Sequence, residues 1–303
     1  MVCENCGGGR FRPTPFYYFW NNKEFVLKKC RQCDLITLDP KPDESELGLL
    51  YSDDYFQTGA HGLNKQQKTY EELRDQQSMD NYKTTIRNTV LKYNPQTKGI
   101  FEIGFAMGHM LAAAKEMGLE VSGIEFSETA MQKAKDKFGI DVKSGNFENI
   151  DTAALGKYDC VFGGDVFEHF VHPRKVVDNM YDMLNDGGVA IVIVPSTFNL
   201  FSTKLAIVFY KILGKRKRFY DNPYHLSEFT SATIKNIFKK RFEEVRVINN
   251  IKKPSQLNLK TSGLEYKLKY AVHLINYPFT KIFNRNGDRL TVIARKNSLG
   301  SIK

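Results

Sequence analysis

The sequence predicts a doubly wound α/β domain on a parallel sheet, preceded by a small four-cysteine ribbon. Three observations predict it. Apolar strand-like runs alternate with helix-patterned segments from residue 99 onward. One strand-to-helix turn, FEIGFAMGHM at 101–110, sets an acidic residue and two glycines where such a fold bends around a ligand. Two CxxC pairs, Cys3-x-x-Cys6 and Cys30-x-x-Cys33, stand ahead of all this.

The pairs flank a strand-rich stretch, FYYFWNNKEFVLKK. Four thiolates in this format surround one tetrahedral zinc and leave no open position, so the expected metal is structural. Cys160 is alone in YDCVFGG and reads as a packed core thiol. A chain of 303 residues accommodates one large domain and a small appendage. The expected division is a ribbon and linker over 1–60, a helical connector over 61–95 and the main domain over 96–303. Insertions are expected at about 198–225 and 252–287.

In the main domain GIFEIG reads as a strand and HMLAAAKEMG as a helix closed by Gly118. EVSGIEF is the next strand. SETAMQKAKDKFG is a helix with Ser127 as N-cap and Gly139 as C-cap. IDVKSG is a short strand, KYDCVFGGD a longer one, and PRKVVDNMYDMLNDGG a helix starting near a proline. VAIVIVPS, FEEVRVI and DRLTVIARK supply three more strands.

The net charge of +10 is local. Residues 200–220 hold six basic residues and no acidic one; residues 252–285 hold seven basic and one acidic. The remainder is close to neutral, which argues against a general nucleic-acid coat. The N-terminal MVCENCGGGR lacks the basic and apolar regions of a signal peptide. The run LAIVFYKIL at 205–213 is too short to span a bilayer. A cytoplasmic location is therefore expected.

The turn at 101–110 also selects its ligand. A dinucleotide turn, G-x-G-x-x-G, would need glycines where Ala106 and His109 stand. The spacing acidic-x-G-x-G-x-G fits better, with Glu102, Gly104, Ala106 and Gly108. A carboxylate before the first glycine would repel a pyrophosphate. It favours S-adenosylmethionine, which has no phosphate and carries a sulfonium and an ammonium. Glu125 ends the next strand, 17 residues after Gly108, where a carboxylate accepts from ribose hydroxyls.

On these residues the chain resembles class I S-adenosylmethionine-dependent methyltransferases of the ubiquinone-methyltransferase-like type. EIGFAMG is similar to the family's first motif and GIEFSETA to its second. SGNFENI resembles the adenine-contacting segment, GDVFEHFVHP the motif after strand four, and LNDGGVAIVIVPS strand five. NPYHLSEFTSATIKNIF is similar to the helix that follows. The N-terminal cysteines and CRQCDLITLDPKPDESELGLLYSDDYF resemble the zinc ribbon and linker of some sugar methyltransferases. The resemblance implies a seven-stranded Rossmann-like sheet with a helical lid or insertion. It implies cofactor contacts from Glu102, Gly104, Ala106, Gly108, Glu125, Phe126, Asn146, Phe147 and Asp165, and zinc on Cys3, Cys6, Cys30 and Cys33.

The expected reaction is methyl transfer to oxygen, or second to carbon, of a small molecule, sugar, glycan or lipid-linked acceptor. His169 and His225 are the candidate catalytic bases. His109, behind the loop, reads as a core or solvated residue. Two competing readings stay open: an RNA methyltransferase gripping substrate with its ribbon, and a non-catalytic cofactor-binding scaffold. DNPY at 221–224 resembles a DNA amino-methyltransferase motif, but stands after strand five instead of strand four. Leu205, Val208, Phe209 and Ile212 stand at helical spacing before Lys215, Arg216, Lys217 and Arg218. YKLKYAVHLINYPFTKIFNR repeats the theme. These segments are read either as a lid over the acceptor or as a contact with an anionic membrane at its inner face.

Overall fold

The computed structural model describes residues 1–51, 70–219, 222–257 and 264–297. Two sheets organise them. The larger has seven strands: β4 (Gly99–Ile103), β5 (Glu120–Glu125), β6 (Lys143–Ser144), β7 (Tyr158–Gly164), β8 (Leu184–Pro195), β11 (Glu244–Asn250) and β12 (Arg289–Arg295). Their order across the sheet is β11-β12-β8-β7-β4-β5-β6. The five from β6 to β8 are parallel, and β12 runs antiparallel to both β8 and β11. This is the doubly wound architecture expected from the alternating pattern.

Local chemistry sets the helices on this sheet. α4 (His109–Glu116) follows β4, α5 (Glu128–Phe138) follows β5, and α6 (Pro173–Asp182) follows β7. Ser127 caps α5 by accepting from the Ala130 N–H at 3.2 Å, and Gly139 ends it with φ +55°. Pro173 opens α6, where its missing N–H leaves no helical bond unmade. Phe101, Ile103, Val161, Val192, Phe167 and Phe238 meet in the main core. Cys160 is fully buried, as expected of a core thiol.

Ahead of the sheet, α1 (Glu44–Leu50) precedes residues 52–69, which lie outside the described residues. The expected boundary near residue 60 falls there. α2 (Tyr70–Asp75) and α3 (Met79–Ile86) then lead into β4. His109 is buried between Tyr82 and Phe138, with Nε2 2.6 Å from Asp75 Oδ1. It is a core residue.

The second sheet joins distant parts of the chain. β1 (Phe11–Trp20), β2 (Lys23–Cys30) and β3 (Ile36–Asp39) form an antiparallel ribbon. β9 (Lys217–Arg218) pairs with β1, and β10 (Ser227–Glu228) with β3, giving the order β10-β3-β2-β1-β9. The Thr37 hydroxyl donates to the Leu226 carbonyl at 2.9 Å. Cys3, Cys30 and Leu35 pack into the same core cluster as Phe147 and Phe170. The ribbon is thus stitched to the main sheet.

Between β8 and β9 lies α7 (Phe201–Ile212), none of whose residues is buried. α8 (Ser231–Phe238) packs below β11, and α9 (Leu264–Phe283) lies against α7. Leu205, Val208, Phe209 and Ile212 do share a helix, as their spacing predicts, and all are exposed. Asp221 of DNPY and residues 258–263 of the second insertion lie outside the described residues. Among the described residues no helix is long and apolar enough to cross a membrane.

Candidate active site

Strand order reverses between β4 and β7, because β4 leads outward to β5 and β7 to β8. Open α/β sheets bind ligands at the carboxyl ends of strands beside such a reversal. Here that place is a cavity of about 460 Å³ lined by the ends of β4, β5, β7 and β8. The loop after β4 bends under it. Gly104 has φ +66°, and a Cβ there would lie 2.6 Å from a Val166 methyl, so only glycine fits. Ala106 holds φ +49°, a left-handed conformation that costs a residue with a Cβ about 1–2 kcal/mol. Gly108 caps α4 at φ +75°. Ala106 thus adopts the conformation a glycine would supply.

Glu125, at the end of β5, anchors this loop. One carboxylate oxygen accepts from the Ala106 N–H at 2.8 Å and the other from the Ser127 N–H at 3.2 Å. Burial pushes its pKa up, while these N–H groups pull the other way. Each oxygen keeps a further lone pair for a ligand hydroxyl. Phe126, Asn146 and Phe147 line the same cavity. The Asn146 side chain accepts from the Glu148 N–H at 2.9 Å, and Phe147 is packed against Phe101 and Phe170. Glu102 lies one strand from Glu125, in the wall of an adjoining smaller cavity that shares Gly104, Ala106 and Asp165. It is fully desolvated, which raises its pKa to about 8, and its Oε2 has no partner among the described residues.

Past β7 the cavity turns polar. Asp165 has φ +54° and binds Arg289 of β12 through both carboxylate oxygens, at 2.6 and 2.8 Å. Three residues on, Glu168 is buried with Oε2 unpartnered among the described residues; burial first, then the Asp165 charge, raises its pKa to about 8. His169 Nε2 lies 3.7 Å and His225 Nε2 3.8 Å from Glu168 Oε1. The opposite ring nitrogens are also held. His169 Nδ1 meets the Tyr51 hydroxyl at 2.7 Å, and His225 Nδ1 meets Glu228 Oε1 at 3.2 Å. Burial alone would lower the pKa of His225, but Glu228 and Glu168 outweigh it and raise it.

A family model described as a methyltransferase domain matches residues 70–241, more than half of the chain. The chain belongs to this methyltransferase family. The methyltransferase is 29% identical over 115 residues to carboxy-S-adenosyl-L-methionine synthase of Campylobacter lari, covering 35% of this chain and 48% of that protein. The chain thus spans about half the length of that curated relative. Its fold is similar to a solved S-adenosylmethionine-dependent methyltransferase from Archaeoglobus fulgidus, with 18% identity, a TM-score of 0.51, and 75% of this chain and 98% of that one covered. A methyltransferase from Thermotoga maritima, titled a possible histamine N-methyltransferase, superposes with a TM-score of 0.47 at 19% identity, over 75% and 95% of the two chains. The matched domain thus carries the fold of an S-adenosylmethionine-dependent methyltransferase.

The methyltransferase crevice fits that cofactor on its own chemistry. An unpartnered buried carboxylate oxygen on Glu102 calls for a donor, and a ligand ammonium is one. Gly104 leaves room where a Cβ would collide. All nine residues expected at the cofactor line one or both cavities except Gly108, which stands behind the loop as the helix cap. His169 and His225, 56 positions apart in sequence, come together in this cavity, with ring centroids 5.4 Å apart. The four N-terminal sulfurs are far from it in sequence but close to one another. Cys3 Sγ lies 3.3 Å from Cys33 Sγ and Cys6 Sγ 3.7 Å from Cys30 Sγ, and all four lie within 4.8 Å.

Sequence reasoning passed over Tyr51, Glu168, Glu228 and Arg289. Glu168 was within reach, since a carboxylate directly before a histidine in DVFEHF is a visible pair. Tyr51 stands in the linker after the ribbon and Arg289 in the last strand, where nothing in the local sequence marks either for the site, and only the tertiary fold brings them in.

Proposed function

We propose that this methyltransferase methylates a hydroxyl of a polyhydroxylated acceptor, a sugar or glycan, with carbon of a keto-sugar as the second choice. The observation that carries the reading is the Glu168–His169–His225 cluster, set in the cofactor's own cavity past the end of β7. S-adenosylmethionine, when bound, supplies a methyl already activated by its sulfonium. What remains for the protein is alignment of the acceptor and removal of its proton. Glu125 and the 104–108 loop fix the cofactor end. Tyr51, His169 and His225 fix the acceptor end, and the imidazoles suit proton removal near neutral pH. Tyr51 and Phe126, with centroids 6.0 Å apart, give this end an aromatic wall beside its polar floor.

The ribbon belongs to the same reading through its likeness to ribbons ahead of sugar methyltransferases. It is proposed to hold one zinc on Cys3, Cys6, Cys30 and Cys33. Tetrahedral bonds of about 2.3 Å put sulfurs roughly 3.8 Å apart, close to the spacing present here. A lipid-linked acceptor is favoured by a separate observation. Ile212 of α7 is 78% exposed, and Ile275 and Ile282 of α9 are each 72% exposed, beside Lys211, Lys215 and Lys281. Exposed apolar side chains with lysines close by in sequence suit the interface of an anionic membrane.

The test is mass spectrometry for a one-methyl gain on nucleotide-sugars, glycans, quinone precursors and RNA, assayed side by side. A gain on a sugar or glycan, lost in His169→Ala and His225→Ala with cofactor affinity intact, is the expected result. A gain on RNA alone overturns the acceptor. Tight cofactor binding with no methylation of any candidate favours the scaffold.

A further inference from the structure

We propose that Glu168, His169 and His225 bind a divalent transition-metal ion, distinct from the cysteine zinc, that holds the acceptor's hydroxyl oxygen. The role rests on the sugar or glycan reading above; the binding does not.

Two imidazole nitrogens converge on one carboxylate oxygen. Both Nε2 atoms face Glu168 Oε1, at 3.7 and 3.8 Å, and the potential ligand atoms of the cluster lie within 4.8 Å of one another. Those separations are too long for hydrogen bonds. Ligands about 2.1 Å from one ion stand roughly 3.0–3.5 Å apart, so a shift of a few tenths of an ångström brings each imidazole to that distance from the Glu168 carboxylate. Glu168 is 1% exposed, lines the cavity, and leaves Oε2 with no partner among the described residues. A buried carboxylate oxygen so placed is costly unless a cation or donor meets it.

The surroundings repeat the pattern of a built metal site. A ligating histidine has its far nitrogen held by a carboxylate, carbonyl or hydroxyl, which fixes the ring and its tautomer. Tyr51 does this for His169, and Glu228, itself 2% exposed, does it for His225. Asp165, the other nearby carboxylate, is taken by Arg289, so the ligand set is two imidazoles and one carboxylate. That set suits manganese, iron, cobalt or zinc and leaves positions open for substrate oxygen. With the ion in place the imidazoles are ligands, and the ion acidifies the acceptor hydroxyl where a ring nitrogen would otherwise take its proton. In the transfer the oxygen–methyl bond forms, the methyl–sulfur bond breaks with its electron pair left on sulfur, and the hydroxyl proton passes to water.

The test is titration of the full, zinc-loaded chain with Mn2+, followed by the loss of the free-ion electron paramagnetic resonance signal. One equivalent should bind. Glu168→Gln, nearly the same shape, should weaken binding more than 100-fold, and Glu228→Gln should weaken it about 10–100-fold through His225 alone. Circular dichroism of each variant checks folding. If Glu168→Gln does not fold, Glu228→Gln decides. No Mn2+ binding by the wild type at millimolar ion, or equal binding by the folded variants, overturns the site. Mn2+ binding without methylation of any sugar or glycan keeps the site and removes the acceptor reading. Methylation unchanged by Mn2+ in a protein that binds it overturns the role.

Discussion

Glu102 and Glu125 stand on neighbouring strands and face different demands. Glu125 is held by two backbone N–H groups and keeps lone pairs for a ribose diol. Glu125→Ala removes a charge-assisted acceptor and should weaken S-adenosylmethionine binding by about 1.5–3 kcal/mol, read by titration calorimetry. Unchanged affinity would remove Glu125 from the cofactor site. Glu102 has no such support, and its pKa rises from 4.5 to about 8 on burial. Its neutral form is the one the cofactor-free fold tolerates. Stability from that form is complete below about pH 4.5 and is lost as pH rises toward 8. Glu102→Gln carries no ionisation, so its melting temperature relative to wild type should climb between about pH 5 and 8. A pH-independent difference would show that Glu102 is not desolvated. Glu102 was legible because an acidic residue two before the first glycine has a spacing; its unpartnered oxygen was not, because burial is set by residues far along the chain.

Elements with several periods were legible, and those without were not. Strands β4, β5, β7 and β8 and helices α4 to α6 each repeat an apolar pattern long enough to read, and Ser127, Gly139 and Pro173 mark helix ends. β9 and β10 are two residues each, too short to show any period, and their partners lie some 200 positions away. In sequence the ribbon therefore looks self-contained, whereas its sheet is completed by the segment that carries His225. That linkage gives a prediction. If the ribbon holds the proposed zinc, stripping it with a strong chelator should unfold β1–β3 first, because metal binding and folding are coupled in such sites. It should also loosen 217–228, so hydrogen exchange should speed up there and in the ribbon together. Faster exchange in the ribbon alone would show that β9 and β10 contribute no stability to it.

For the whole molecule, the question is where so basic a chain places its charge. α7 and α9 lie side by side with exposed isoleucines and phenylalanines, and Lys211 and Lys215 sit at one end. Arg216 is already committed to Glu24 at 2.7 Å and to the face of Tyr17. Lys215 is thus the better electrostatic probe, worth roughly 1 kcal/mol at an anionic surface. Each isoleucine buried in lipid contributes about 1.5–3 kcal/mol. Wild type should pellet with anionic liposomes at low salt, and Ile212→Ser with Ile275→Ser should stay in the supernatant. Concentration-dependent self-association without vesicle binding would assign the face to a second copy, and the absence of both would leave the lid reading alone.

The stitching of the ribbon also has a consequence in time. Chains emerge from the ribosome N-terminus first, at about 5–20 residues per second. β1 to β3 are therefore made on the order of ten to forty seconds before β9 and β10 arrive to cover their outer edges. Through that interval two strands expose unpaired backbone, ready to pair with another nascent chain. Zinc captured early would hold the hairpin compact while its edges wait. With the proposed zinc in that role, cells short of the metal would lose this protein to aggregation during its synthesis.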